Sequence, residues 1–169
     1  MKRKNVAINI RLLRSVVGNF AAAIVLAILM LLSLSTSAIA QPSNNPGKAE
    51  VAIRAVLEAQ AAAWNRGDVE AYMDGYDRSP KTEFVGGDSI TRGWQDVLDR
   101  YKQKYDTREK MGTLTFTDLE INMLSGDAAL VLGRWRLKRA SDEPHGTFTL
   151  LFRKSKAGWR IVHDHSSSA

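Results

Sequence analysis

The chain has 169 residues, with 24 Lys and Arg, 18 Asp and Glu, a formal net charge of +6 and no Cys. Without Cys there are no disulfides, so a hydrophobic core has to stabilise the fold unaided. Five of the basic residues and none of the acidic ones fall in residues 1–40, which leaves 19 basic and 18 acidic residues, a net charge of +1, in the remainder. This balance argues against nucleic-acid binding, and we expect no nucleic-acid partner.

Residues 1–40 have the pattern of a secretory signal peptide. A basic start precedes an apolar run over residues 20–34, and a small-residue Ala-x-Ala site ends at Ala40. An uncleaved anchor is the alternative, because residues 16–34 almost reach the roughly 20 residues that span a bilayer. We expect cleavage before Gln41 and a periplasmic or secreted protein with no membrane contact after cleavage.

Three helices are predicted at the start of the domain. Apolar residues at helical spacing predict a first helix, which Asn45 caps and Gly67 ends in the left-handed conformation. Asp68 then caps a second helix that runs to Ser79-Pro80. The third helix covers residues 93–105, where apolar side chains again share one face.

After a polar lead-in at residues 41–47, residues 48–168 are predicted to form one α+β domain, with helices first and a curved antiparallel sheet after them. A short hairpin covers residues 82–90, and four long strands follow from Thr113 onwards. The inside–outside alternation slips near Thr117-Asp118, which predicts a bulge there.

The last strand carries the most distinctive polar side chains of the chain. Strand alternation assigns its side chains to opposite faces: Trp159, Ile161, His163 and His165 to one, and Arg160, Val162 and Asp164 to the other.

Two of these histidines could bind a metal only with a third ligand, for which His145 is the remaining histidine. A simpler interpretation is that His163 and His165 pack where the sheet closes on the first helix. We therefore expect no metal and no other cofactor. Asp164 is either an exposed carboxylate or a pocket acid beside Arg136.

Several segments together resemble one known family. They are WNRGDVEAYMDGY, DAALVLGRWRL, GTFTL and GWRIVHDHSS, and they span most of residues 48–168. The chain resembles the SnoaL-like branch of the nuclear transport factor 2-like superfamily, including small bacterial domains of unknown function and the association domain of calcium/calmodulin-dependent protein kinase II. The resemblance implies a cone-shaped fold, in which a curved sheet wraps the helices around a pocket, and a homodimer or larger homo-oligomer.

The resemblance also implies a position for a pocket cation. In the kinase association domain an arginine reaches the cavity from the strand that matches GRWRL, which places Arg136 there. Two further pocket arginines of that domain are missing here, near Leu150 and at Ser166. A single arginine among apolar walls suits larger and less charged ligands. The alternative is that Arg136 belongs to the solvated face of its strand, with Arg134 and Lys138.

Three functions are compatible with this resemblance, because the fold hosts many chemistries. We expect an exported domain that binds a small molecule. The first alternative is an enzyme similar to ketosteroid isomerase or epoxide hydrolase, in which Asp164 is the acid or base, Arg136 its partner, and Tyr72 or Tyr76 the hydrogen-bond donor. The second is a structural or assembly module. The predicted pocket residues are Trp64, Tyr72, Tyr76, Phe84, Arg136, Phe148, Leu150, His163, Asp164 and His165.

An apolar outer face on the sheet is expected to support the oligomer. We predict that this face lies around Trp135 and Leu137, because sheet-to-sheet contact would cover both the apolar side chains and the long strand edges.

Overall fold

Four helices and six strands lie in residues 47–169, the part of the chain that the computed structural model describes. The predicted leader, residues 1–40, and the predicted lead-in up to residue 46 lie outside the described residues. No helix within residues 47–169 is long and apolar enough to cross a membrane.

Helix α1 (Lys48–Arg66) turns one apolar face towards the rest of the domain. Its N-cap is Gly47, without a side-chain cap, so the prediction that Asn45 caps this helix is wrong. Its end is as predicted: Gly67 has a φ of 84°, and its N–H donates to carbonyls of the last turn. Glycine adopts this left-handed conformation without a steric penalty. The buried residues of α1 are Ile53, Leu57, Gln60, Ala63 and Trp64.

Helix α2 (Val69–Met73) is shorter than predicted. Asp68 caps it as expected, because its Oδ1 accepts a hydrogen bond of 2.9 Å from the Ala71 N–H. The helix nevertheless ends well before Ser79, since the chain leaves it to pair with the last strand. The N–H of Asp77 donates to the carbonyl of Ile161, whose own N–H donates to the carbonyl of Gly75.

Helix α3 (Trp94–Lys104) agrees with its predicted range. A further short helix, α4 (Arg108–Met111), has no counterpart in the prediction. Its single turn is too short to show helical periodicity, and Thr107 begins it by accepting a hydrogen bond from the Lys110 N–H.

The six strands form a single sheet in the order β2-β1-β6-β5-β4-β3. The predicted α+β class, with a curved sheet and N-terminal helices, is confirmed. One pair departs from the predicted antiparallel arrangement, because β1 lies parallel to β6. The strands are β1 (Glu83–Gly86), β2 (Ser89–Arg92), β3 (Thr113–Ser125), β4 (Ala128–Lys138), β5 (His145–Ser155) and β6 (Gly158–Ser166).

Strand β3 contains the bulge that the sequence predicts. Its register with β4 shifts between Thr117 and Glu120, and Asp118 there has a φ of 53°. The shift returns the apolar side chains of both halves of the strand to one face.

A second bulge, in β6, changes which side chains face the helices. Ile161 pairs with Phe152 and His163 with Leu151, so Val162 has no partner on β5. Two residues of β6 therefore lie opposite one residue of β5. Beyond Val162 the side chains that face the helices change from odd-numbered to even-numbered positions of the strand. The prediction that Asp164 lies opposite to Ile161 is wrong, since both are buried against the helices.

Candidate functional site: a buried carboxylate in an aromatic cavity

A cavity of about 250 Å³ lies between the helices and the inner face of the sheet. Most of its wall is aromatic or aliphatic. The wall residues from the helices include Gln60, Trp64, Tyr72, Tyr76, Tyr101 and Tyr105, and those from the sheet include Phe84, Leu114, Phe116, Trp135, Leu137, Phe148, Leu150, Ile161 and Asp164.

Asp164 is the acidic residue in this wall, and its side chain is held by two hydroxyl groups. The Tyr76 hydroxyl donates to Oδ2 at 2.6 Å, and Ser166 Oγ donates to Oδ1 at 2.7 Å. The residue is only 4% exposed. Burial raises the pKa of Asp164 above its usual value, although both hydroxyl groups partly oppose the shift by stabilising the carboxylate.

Three tyrosines surround this carboxyl group as a cluster. The hydroxyl groups of Tyr76 and Tyr101 lie 3.4 Å apart, and the rings of Tyr72 and Tyr101 meet edge to face with centroids 5.3 Å apart. Burial, followed by the nearby negative charge of Asp164, raises the pKa of Tyr72 and Tyr76. Burial also raises the pKa of Tyr101. The three phenols therefore stay protonated near neutral pH and can donate hydrogen bonds.

Helix α1 holds the tyrosine cluster in place through two side chains. Gln60 Nε2 donates to the carbonyl of Tyr72 at 3.0 Å, and Trp64 Nε1 donates to the carbonyl of Met111 at 3.0 Å. The Trp64 ring also packs edge to face on Tyr72 and Tyr105, with centroid distances of 5.1 and 4.7 Å. The aromatic wall is thus tied to the helix backbones before any ligand enters.

The more exposed wall residues form the mouth of the cavity. They are the exposed Gly87 in the β1–β2 turn, Lys104 on α3 and Ser168 near the end of the chain, with the half-buried Gly86 at the end of β1 and Arg100 on α3. The Arg100 guanidinium carbon lies 4.5 Å from the centroid of the Phe84 ring. The mouth is therefore basic, whereas the acid lies deeper in the cavity.

Seven of the ten predicted pocket residues line this cavity, and they come from α1, the α2 segment, β1, β5 and β6. They are Trp64, Tyr72, Tyr76, Phe84, Phe148, Leu150 and Asp164.

Arg136 does not line the cavity, and its predicted place beside Asp164 is wrong. Its side chain is 59% exposed and contacts Glu143, with Nη1 2.8 Å from Oε1. The alternation of β4 explains this, because the neighbouring Trp135 and Leu137 turn inwards. Arg136 therefore lies on the outer face of the sheet, as the alternative interpretation of this strand holds.

The two histidines of β6 also lie outside the cavity. His163 Nδ1 lies 3.1 Å from Glu83 Oε2 on β1, so this histidine contacts a neighbouring strand and not helix α1 as predicted. His165 is exposed. Residues 47–169 contain no group of three or more His, Cys, Asp or Glu placed to hold a metal ion. That the protein carries no metal stays a prediction.

Sequence reasoning missed both cations at the mouth. Arg100 and Lys104 are four residues apart on α3, which places them on one side of the helix, next to Tyr101 and Tyr105. That spacing is visible in the sequence, but basic residues on an amphipathic helix usually face solvent. Only the position of α3 against β1 makes them part of a cavity.

Trp135 and Leu137 are not on the outer face of the sheet, contrary to the prediction. Both line the cavity, and Trp135 Nε1 donates to the carbonyl of Ser167 at 2.9 Å. The apolar side chains on the outer face of β4 are instead Leu130 and Leu132, which are 36% and 43% exposed.

Residues 53–169 match the model of a family described as SnoaL-like domain. No curated protein matches the chain. Among solved structures, the chain is similar to a nuclear transport factor 2-like protein of unknown function from Shewanella oneidensis, with 45% identity over 69% of this chain and 97% of that one, and a TM-score of 0.67.

Two more distant structures share the fold. One is a ketosteroid isomerase-like protein from Erwinia carotovora, with 21% identity over 70% of this chain and 94% of that one, and a TM-score of 0.57. The other, from Xanthomonas campestris, is described as a calcium/calmodulin-dependent protein kinase II association domain, with 14% identity over 69% of this chain and 85% of that one, and a TM-score of 0.57. The matched family and the fold agree, and the chain belongs to the SnoaL-like domain family of the nuclear transport factor 2-like superfamily.

Proposed function

We propose that this domain binds a small organic molecule in the aromatic cavity. The observation that carries the proposal is the pairing of Asp164 with Tyr76 inside a cavity whose wall residues are mostly aromatic or aliphatic. Ligand sites combine apolar walls with a few fixed polar groups, and a buried ionisable side chain with a shifted pKa inside a cavity is typical of functional sites. A volume of about 250 Å³ suits a compact molecule of one or two rings.

Ligand-induced stabilisation tests this proposal. A bound ligand raises the free energy of unfolding by about 2.7 kcal/mol at a hundredfold excess over its Kd. We expect some compact ring compounds to raise the unfolding midpoint of the wild-type protein in a thermal-shift screen.

A cavity-filling variant makes the screen specific for this site. Phe116→Trp, in the cavity wall, should abolish the shift, whereas Val51→Trp, on the exposed side of α1, should retain it. A shift that Phe116→Trp leaves unchanged would place binding elsewhere.

A second candidate function is catalysis by the same groups, and the environment of Asp164 favours it. Burial raises the pKa of this carboxyl group towards neutral pH, which is what a general acid or base requires. Tyr72 and Tyr101 are protonated phenols beside it, whereas the single hydroxyl proton of Tyr76 is already donated to Asp164. Such donors stabilise negative charge that develops on a reacting oxygen.

The two candidate functions differ in what Asp164→Asn does. If the domain is an enzyme, the variant should still bind a stabilising compound but should no longer convert it. If the domain only binds, no product appears with either protein, and the variant changes affinity alone. Product analysis by mass spectrometry after prolonged incubation separates these outcomes.

A further inference from the structure

The basic mouth of the cavity consists of two cations without an ion-pair partner among residues 47–169. Arg100 and Lys104 project from the same side of α3 and line the cavity. Lys102, between them in sequence, differs, since its ammonium group contacts Glu70 outside the cavity. The charges of Arg100 and Lys104 are therefore available to a ligand.

Aromatic rings hold both cations at the rim. The Arg100 guanidinium lies over Phe84, and Lys104 Nζ lies 5.4 Å from the centroid of the Tyr105 ring. Gly86 leaves room for the first of these contacts. A Cβ atom there would come within 2.8 Å of the Phe84 ring and 3.4 Å of the Arg100 guanidinium. Both cations thus lie next to rings that also line the apolar space.

The single acidic wall residue does not neutralise this mouth. Asp164 lies deep in the cavity and is bound by Tyr76 and Ser166. Because burial raises its pKa, the protonated and uncharged form becomes more accessible. Attraction to a negative group at the rim is strengthened where the aromatic wall excludes water.

We propose that the cavity takes small organic acids, with a ring-bearing apolar body among the tyrosines and a carboxylate at the mouth that Arg100 and Lys104 bind. This inference rests on the ligand-binding function proposed above. Arginine pairs with carboxylates through two parallel hydrogen bonds, and lysine adds a point charge. Both cations that recognise the ligand thus come from helix α3, and Arg136 on the sheet takes no part.

Calorimetry with 2-naphthoate and its neutral counterpart 2-naphthamide tests the inference on the purified protein. We expect the acid to bind at least about tenfold more tightly than the amide, a difference of about 1.4 kcal/mol. Arg100→Gln and Lys104→Gln should each weaken acid binding by about tenfold and amide binding by less than about twofold, since only the acid loses a charge partner.

Two matched controls remove the same charge outside the cavity. Lys102→Gln, on the same helix, and Arg136→Gln, on the outer face of the sheet, should change the affinity for either compound by less than about twofold. A second measurement needs no variant. Raising the salt concentration from about 0.05 to about 0.5 M should weaken binding of the acid and leave the amide unchanged, because salt screens partly exposed charges.

The outcomes separate this inference from the proposed function. Equal binding of acid and amide by the wild-type protein would overturn the preference for acids while supporting a ligand cavity. A preference that persists in Arg100→Gln and in Lys104→Gln would overturn the assignment of these residues. Failure of both compounds, and of the smaller pair benzoate and benzamide, to bind at all would overturn the ligand-binding function together with this inference.

Discussion

The Tyr76 hydroxyl donates a 2.6 Å hydrogen bond to the carboxylate of Asp164, across 88 positions of the sequence. The bond joins the segment after α2 to the last strand. The two elements also meet through their backbones, since Tyr76 forms an isolated bridge with Ile161. The carboxyl group at the centre of the cavity is therefore placed by the same contact that connects the helices to the sheet.

Replacing Asp164 by Asn should change how stability depends on pH. A carboxyl group whose pKa is raised by folding contributes stability that is fully present below its unfolded pKa, about 3.8 here, and is lost as pH rises through the folded value. The free energy of unfolding of the wild-type protein should thus fall, relative to Asp164→Asn, as pH rises above about 3.8. Denaturant unfolding of both proteins at a series of pH values measures this difference.

Taking the difference between the two proteins also cancels what the other carboxylates contribute to the pH dependence of the unfolding free energy. Glu83 and Glu143 have pKa values lowered by hydrogen bonds from His163 and Arg136, and they shift stability in the opposite direction in both proteins. A difference that stays constant from about pH 3 to about pH 9, a range that brackets the ordinary pKa values of carboxyl groups and histidine, would contradict a raised pKa at Asp164.

Tyr76→Phe should destabilise the protein by about 1–3 kcal/mol at neutral pH, because it leaves one oxygen of a buried carboxyl group without its donor. Tyr105→Phe is the matched control. Tyr105 also lines the cavity, but its hydroxyl group makes no hydrogen bond within residues 47–169, so its loss should cost less than about 0.5 kcal/mol. Urea unfolding measures both, and equal effects would argue against a special role for the bond to Asp164.

Gly133→Ala should destabilise the protein by about 1–3 kcal/mol through overpacking. A Cβ atom at Gly133 would lie 2.4 Å from the Phe148 ring and 2.8 Å from the side chain of Leu119, both on the inner face of the sheet. Gly126 lies in an exposed turn where a Cβ atom would meet nothing within 4 Å. Gly126→Ala should therefore change the unfolding free energy by less than about 0.5 kcal/mol. Similar thermal midpoints for the two variants would contradict this description of the core.

We propose that the protein forms a homodimer through the outer face of its sheet. Leu130 and Leu132 are exposed there, and Leu151 lies beside Leu130 on β5. Association would remove these side chains from water. Light scattering should show a dimer or larger species for the wild-type protein and a shift towards monomer for Leu132→Lys.

Val51→Lys is the control for the dimer, because Val51 is an exposed apolar residue on α1 and not on the sheet. It should leave the molar mass unchanged. A monomeric wild-type protein at micromolar concentrations would rule out the dimer, and dissociation of both variants alike would place the contact elsewhere.

Export is the remaining proposal, and it rests on residues 1–40. The basic, apolar and small-residue order of this segment predicts cleavage before Gln41. Intact-mass measurement of protein from the exported fraction should give the mass of residues 41–169. Full-length protein recovered from membranes would show an uncleaved anchor instead.

The sequence alone was sufficient for most secondary structure and for the fold class. Gly67 and Asp68 mark the α1–α2 junction because a left-handed glycine and a side-chain cap are local requirements of a helix end. The bulge of β3 could also be predicted, since the nearest apolar residues lie at even-numbered positions before Asp118 and at odd-numbered positions after it. These features depend on neighbouring residues and on the period of each element, and both are visible in the chain.

The site was decided by tertiary structure. The bulge at Val162 leaves no clear mark in the sequence, because Ile161 and Val162 are both apolar and either could have faced the core. A slip of one residue reverses every side chain beyond it, which brings Asp164 into the cavity and excludes His163. Arg100 likewise became a cavity residue only because α3 packs beside β1, and the packing of one element on another is not recorded in the local sequence pattern of either.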